Sequence, residues 1–318
     1  MKLLAKGWNQ PYLLLILATL FWGGNAVVGR FLAGSVPPVT ISALRLTISV
    51  LVFTPFVIQL LRQDWEQAKR HWGGIVAAAI TGVIGYNLLI YWALNYTTAI
   101  NATLINSTSP LFIGLLAYLF LKERLTARHF LSIVVSMVGI MWVASQGSLE
   151  RLLNLDFNRG DLIMLVAVFS WAIYSVIIPK ISRHFSPFSL FGYCLATAFL
   201  ISVPAAIVEL QFKTIQSFGF QELLAVLYLG IFPSLCSFIF WNRASTMVGP
   251  SKSSLFLNLT AVFAALLGFI ILGERLTVAQ LIGGLLVFLG VLISSSARSE
   301  GGLQPAKKSV QINRNVLK

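Results

Sequence analysis

The chain has 318 residues, 57% hydrophobic and 10% charged, with a formal charge of +13. Soluble domains carry about 25% charged residues, so this composition, with a mean hydropathy of +0.84, excludes an ordinary water-soluble globule and points to a bilayer. Nucleic acid is not the implied partner of the positive balance, because the basic residues fall in short connections and in the tail, where the inside bias of membrane loops accounts for them. Cys194 and Cys236 lie in apolar runs and do not read as a disulfide framework.

In chain order, a short N-terminus (1–10) carries Lys2 and Lys6 and leads into an apolar run from Pro11 to about Ala33. That run is too long for a signal-peptide core of about 7–15 residues, so a retained first helix is expected. A crossing helix needs about 20 mostly apolar residues. Ten stretches fit: 11–33, 39–61, 72–94, 100–121, 127–145, 160–179, 187–208, 221–242, 249–272 and 277–297. The fold class expected is therefore all-α integral membrane, with ten transmembrane helices joined by short loops such as 62–71. The longest connection, SQGSLERLLNLDFNRGD at 145–161, lies midway and makes 146–159 a linker. A polar tail, 298–318, holds Lys307, Lys308, Arg314 and Lys318 and is expected to be disordered. Counting Lys and Arg by side places sixteen with the termini and five (Arg30, Arg151, Arg159, Lys213, Arg275) on the other face, which puts both termini in the cytoplasm. A cell membrane, the inner membrane in a bacterium, is the expected location.

The charged corner LKERLT at 121–126 returns as LGERLT at 272–277. A shift of 151 residues pairs Glu123 with Glu274, Thr126 with Thr277 and Gly139 with Gly290, and a shift of 149 pairs Trp22 with Trp171, Pro38 with Pro187 and Tyr91-Trp92 with Phe240-Trp241. Residues 11–145 and 160–297 thus form two five-helix repeats. An odd number of crossings turns the second copy upside down in the bilayer, giving an inverted repeat of the kind common in transporters. The corners read as hairpin clips, with Thr126 and Thr277 capping the helices that follow and Thr277 with Gln280 matching a capping box. The sharper reading makes Glu123 and Glu274 a gate or coupling carboxylates.

FWGGNAVVGRF in the first span, ISALRL in the second, YWALNYTTA leading to NSTSPLF, and the duplicated ERLT corner together resemble the EamA-type drug/metabolite transporter superfamily over about residues 11–297. The resemblance implies ten helices, a central cavity between the halves, and alternating access for small metabolites, often as exporters. The second half departs from the pattern at Thr260-Ala261, which replaces the Ser109-Pro110 of the first half and leaves that helix without the proline many relatives carry.

Polar groups inside a membrane are expensive and mark candidate sites. Trp22 and Asn25 lie one turn apart, and Trp171 and Tyr174 repeat that spacing at the matching positions, each tryptophan about twelve residues into its span. Facing each other across the centre, they would line a substrate cavity. The alternative is plain packing. Tyr86, Asn87 and Tyr91, then Asn101, Asn106 and Ser107, add polar groups, and Ser251, Ser254 and Asn258 form a stripe on the ninth span. Interhelical hydrogen bonding is the plainer reading for each of these. Arg45 and Lys252 are the cations nearest the membrane interior. They either snorkel to headgroups or attract an anionic group. The pairs Gly23-Gly24, Gly73-Gly74 and Gly283-Gly284 allow close helix approach.

No GK[ST] phosphate loop, no metal-ligand spacing and no catalytic set appears in the spans, so no enzyme, cofactor or metal is expected. The expected function is transmembrane transport of small organic metabolites, such as amino acids, with a lipid bilayer as surroundings. The alternatives are a sugar-nucleotide or organic-phosphate exchanger and a lipid-handling membrane enzyme. All ten acidic residues sit in loops or at span borders, so facilitated diffusion or exchange without a protein-borne proton relay is expected, with Glu123 and Glu274 as the exceptions to test.

Overall fold

Helix starts follow local chemistry. Pro11, Pro38 and Pro187 open helices in the first turn, where the missing N–H would have no partner anyway. Elsewhere a side chain accepts from a freed N–H: Thr98 from Asn101 at 3.1 Å, Asn158 from Gly160 at 2.7 Å and Ser186 from Ser189 at 3.1 Å. Thr277 and Gln280 bond reciprocally, at 2.8 and 3.2 Å, as a capping box does.

The computed structural model describes residues 10–121, 127–154, 158–248, 256–257 and 259–295, and among these it contains helices and no strand. The main helices are α1 (Pro11–Leu32), α2 (Pro38–Gln63), α3 (Trp72–Ala93), α4 (Ala99–Asn106 continuing as Ser109–Leu121) and α5 (Ala127–Ala144). They continue as α6 (Arg159–Ile181), α7 (Pro187–Phe212), α8 (Phe220–Ile231, then Phe232–Cys236 and Ser237–Val248), α9 (Leu259–Leu267 and Gly268–Leu272) and α10 (Val278–Ser295). Seven apolar helices are long enough to cross a membrane unaided, and Leu259–Leu272 and Val278–Gly290 are shorter. The expected loop 62–71 contains a short helix, Trp65–Arg70, and the expected linker contains another, Leu149–Leu153.

Large apolar side chains face outward all round. Phe56 is 81% exposed, Phe212 84% and Ile270 73%, an arrangement stable only in an apolar solvent. Inside, α2 packs along α7 and α5 along α10, while α1 lies against α8 and α9 and α6 lies against α3 and α4. Small residues set the closest crossing. A methyl added to Gly139 of α5 or to Gly283 of α10 would sit 2.7 Å from the other's carbonyl oxygen. Gly74 likewise meets Ile181, but Gly73 faces open space and does not serve close approach.

Turns 33–37, 94–98, 213–219 and 273–277 gather at one end, together with the start of α6. There Gln216 N donates to Ser35 O at 2.9 Å and Asn158 Nδ2 to Tyr96 O at 3.0 Å. This is the end expected to lie outside. At the opposite end the rings of His71 and His184 stack at 4.1 Å, and Asp64 Oδ2 accepts from Ser186 N at 3.4 Å.

Candidate functional site

Two helices lose their regular ladder near the middle of the bundle. Ala79–Gly85 of α3 and Phe232–Cys236 of α8 are π-helical, a form that leaves carbonyls for side chains and recurs at functional sites. Asn87 Nδ2 donates to Val83 O at 3.1 Å, and Trp22 Nε1 donates to Pro233 O at 3.2 Å. Between these two places lies a cavity. Its walls include Trp22 and Asn25 of α1, Arg45 of α2, Tyr86 and Asn87 of α3, Asn106 of α4, Trp171 of α6, Phe238 of α8 and Thr260 of α9. It encloses about 70 Å³, well under the roughly 300–1,000 Å³ of a typical ligand pocket. Admitting a metabolite therefore requires the helices to move apart.

One wall is polar and continuous. Arg45 is buried, 4% exposed, and its Nη1 donates to Asn87 Oδ1 at 2.5 Å and to Tyr91 Oη at 2.9 Å. Tyr91 passes the chain on, donating to Asn25 Oδ1 at 2.9 Å. Tyr86 donates to Asn106 Oδ1 at 2.8 Å. The snorkelling expected as one reading of Arg45 does not occur: tethered to α3, the guanidinium stays inside. The opposite wall is aromatic. Trp171 packs on Tyr86 at 5.0 Å and on Phe238 at 6.5 Å, and Phe238 in turn meets Trp22 edge-on at 5.8 Å.

A second polar cluster closes the expected outer end above the cavity. Asp161 is fully buried; Thr97 Oγ1 donates to its Oδ1 at 2.5 Å and Asn101 Nδ2 to its Oδ2 at 3.3 Å. Gln280 Nε2 then donates to Asn101 Oδ1 at 2.6 Å, tying α6, α4 and α10 together. Glu274 accepts from Ala99 N at 3.1 Å and Ile100 N at 3.4 Å, so the corner carboxylate serves the N-terminus of α4, while its own N donates to Gly268 O of α9 at 3.1 Å. Glu209 Oε2 does the same for α2, accepting from Thr40 N at 2.8 Å. Asp161 lies in the first turn of α6, at a span border, and is buried there against the α3–α4 turn.

Trp22, Asn25, Arg45, Tyr86, Asn87, Asn106 and Trp171 thus surround one space. Tyr174 does not line it. Its ring sits behind Trp171, 4.9 Å away, over Gly82, where an added methyl would be 2.2 Å from it. Glu123, Thr126, Lys252, Ser251, Ser254, Asn258 and the termini 1–9 and 298–318 lie outside the described residues. Sequence reasoning missed Pro233 and Phe238, although a mid-span proline is itself a signal of a broken helix.

A helical bundle with an apolar exterior and a mixed polar and aromatic cavity between its helices is that of an integral membrane protein of the transport class. The chain belongs to the EamA-like transporter family, whose model matches residues 9–145 and again 158–296. It is 27% identical to a Bacillus subtilis (strain 168) protein named uncharacterized transporter YyaM, over 89% of this chain and 93% of that one. It is 28% identical to an uncharacterized transporter of Methanothermobacter thermautotrophicus, over 89% and 85% of the two chains. A solved crystal structure shares the fold, with a TM-score of 0.61 at 24% identity over 89% of this chain and 96% of that one.

Proposed function

We propose that the protein moves small organic metabolites across a cell membrane, the inner membrane in a bacterium, by alternating access through the central cavity. In this reading residues 11–145 and 160–297 are inverted five-helix repeats joined by the linker 146–159, the chain crosses ten times, and both termini are cytoplasmic. Helix pairing supports the duplication, because the pairs α2–α7 and α5–α10 and the groups α1 with α8 and α9, α6 with α3 and α4 exchange when the halves are exchanged. The observation that carries the transport reading is the cavity itself, walled by helices of both halves. Exchange or facilitated diffusion is the mode, with the gradient supplied by the substrate.

The test is counterflow in proteoliposomes preloaded with a panel of amino acids, organic acids, amines and sugars, read by mass spectrometry. Saturable flux of one class above protein-free vesicles is expected, reduced about tenfold or more in Trp171→Ala, a truncation that removes much of the aromatic wall. No flux of any class through folded protein would overturn the reading.

A further inference from the structure

Hydrogen-bond accounting along the cavity wall defines what is left for a ligand. Every side-chain amide oxygen on that wall is occupied: Asn25 Oδ1 by Tyr91, Asn87 Oδ1 by Arg45, and Asn106 Oδ1 by Tyr86. The donors are not. Arg45 Nε is buried without an acceptor, and so is Thr260 Oγ1 on α9. The amide NH2 groups of Asn25 and Asn106 also meet no acceptor among the described residues. Polar groups shielded from water need partners, and a buried guanidinium needs an anion most of all. Among the described residues no carboxylate faces Arg45; its bonded neighbours are the neutral Asn87 and Tyr91. A site whose amide oxygens each already accept a hydrogen bond, and which keeps a buried guanidinium N–H without one, suits a ligand that brings acceptors.

The repeat sharpens this asymmetry. Under the shift of 149 residues, Arg45 corresponds to Cys194, Asn87 to Cys236 and Tyr91 to Phe240, and under the shift of 151 Asn106 corresponds to Leu257. Of these second-half positions only Leu257 lines the cavity, and with Met164, Trp171, Pro233 and Phe238 it gives the second half's contribution an apolar character broken only by Thr260. Arg45 is the one cation among the described lining residues, so one negative charge is matched and a second is not.

Resting on the transport reading of this same cavity, we propose that the substrate is an amphipathic organic monoanion, an aryl or alkyl monocarboxylate. Its carboxylate engages Arg45 and the free amide donors, and its apolar body lies on Trp22, Trp171 and Phe238. An ammonium group meets the Arg45 cation and no carboxylate among the described lining residues, so the corresponding amino acid and amine are disfavoured.

Tryptophan fluorescence of the purified full chain in detergent, titrated with 3-phenylpropionate, 3-phenylpropionamide, phenylalanine and phenethylamine, tests this directly. The carboxylate is expected to bind on the order of 10- to 100-fold more tightly than the amide, the range set by a charged hydrogen bond. Phenylalanine and phenethylamine should bind no better than the amide. Arg45→Gln should erase the preference, and Arg45→Lys should keep part of it. Equal binding of carboxylate and amide, tighter binding of phenylalanine, or absence of carboxylate binding to wild type overturns the proposal, without recourse to any variant that fails to fold. The two readings separate cleanly. Tight carboxylate binding without flux in proteoliposomes defeats the transport reading alone, and flux of a neutral or zwitterionic compound that ignores Arg45 defeats the monoanion alone.

Discussion

The Arg45 network in the first half of the chain and the corresponding places in the second half share almost no chemistry. On α2 and α3 stand Arg45, Asn87 and Tyr91, linked by hydrogen bonds; at the corresponding places on α7 and α8 stand Cys194, Cys236 and Phe240. The backbones nevertheless correspond in detail. Each long helix carries an interior proline at the same relative position, Pro55 in α2 and Pro204 in α7, and α3 and α8 both turn π-helical near the cavity. The bilayer constrains packing and backbone hydrogen bonding equally in both copies. Recognition needs only one wall of each kind, which leaves the cavity side chains free to differ.

The comparison presumes that one half is the other turned over, and breaking that premise has the largest effect. In a background with Cys194→Ser and Cys236→Ser, Thr277→Cys is expected to react with an impermeant maleimide added to intact cells, and Thr126→Cys is not. Labelling of both from one side would remove the inversion and the wall correspondence with it.

Next in size is the charge on the polar wall. Asn87→Asp sets a carboxylate against the guanidinium and supplies internally the anion that Arg45 lacks. Organic-anion flux should fall about tenfold or more, while thermal stability holds or rises. Cys236→Ala at the matching place should change flux by less than about twofold, since an isolated small-to-small change rarely matters. If both variants behave alike, the two walls are not specialised.

The smallest effect concerns the place where the halves meet on equal terms. Gly139→Ala forces a methyl to 2.7 Å from Gly283 O and should cost about 1–3 kcal/mol of stability. Gly73→Ala, with open space around it, should stabilise by about 0.5–1 kcal/mol through helix propensity. Detergent melting curves of the two variants measure both signs.

Much of this was legible in the sequence because the membrane penalises polarity. Asn25, Asn87 and Asn106 are costly in apolar spans, so they stood out as groups in need of a partner, and each has a hydrogen-bond partner on another helix. The fate of Arg45 was not legible. Whether its side chain rises to headgroups or turns inward depends on which face of α2 meets α3, and that is fixed by packing against α7 and α8. Tyr174 shared the spacing of Asn25 yet fell behind Trp171, because the small Gly82 admitted its ring. The role of Glu274 required knowing that residue 99 lies beside it, 175 positions away in the chain. The π-helical turns leave no mark on hydrophobic periodicity, which records faces and not hydrogen-bond partners. Asp161 read as a border residue because Thr97 and Asn101, the donors that hold it indoors, belong to another helix.

Those π-helical turns have a mechanical consequence. A regular helix is a stiff rod, but one whose ladder is interrupted bends first at the interruption. The arms Trp72–Ala78 and Tyr86–Ala93 meet at one joint, and Phe220–Ile231 and Ser237–Val248 at the other. Asn87 grips the Val83 carbonyl in the first joint while its own oxygen holds Arg45, and Trp22 grips Pro233 in the second. The same side chains therefore serve as cavity wall and as hinge pins. In the proposed transport cycle, a ligand that draws Arg45 toward itself would pull on Asn87 and so on the Val83 carbonyl at the joint of α3.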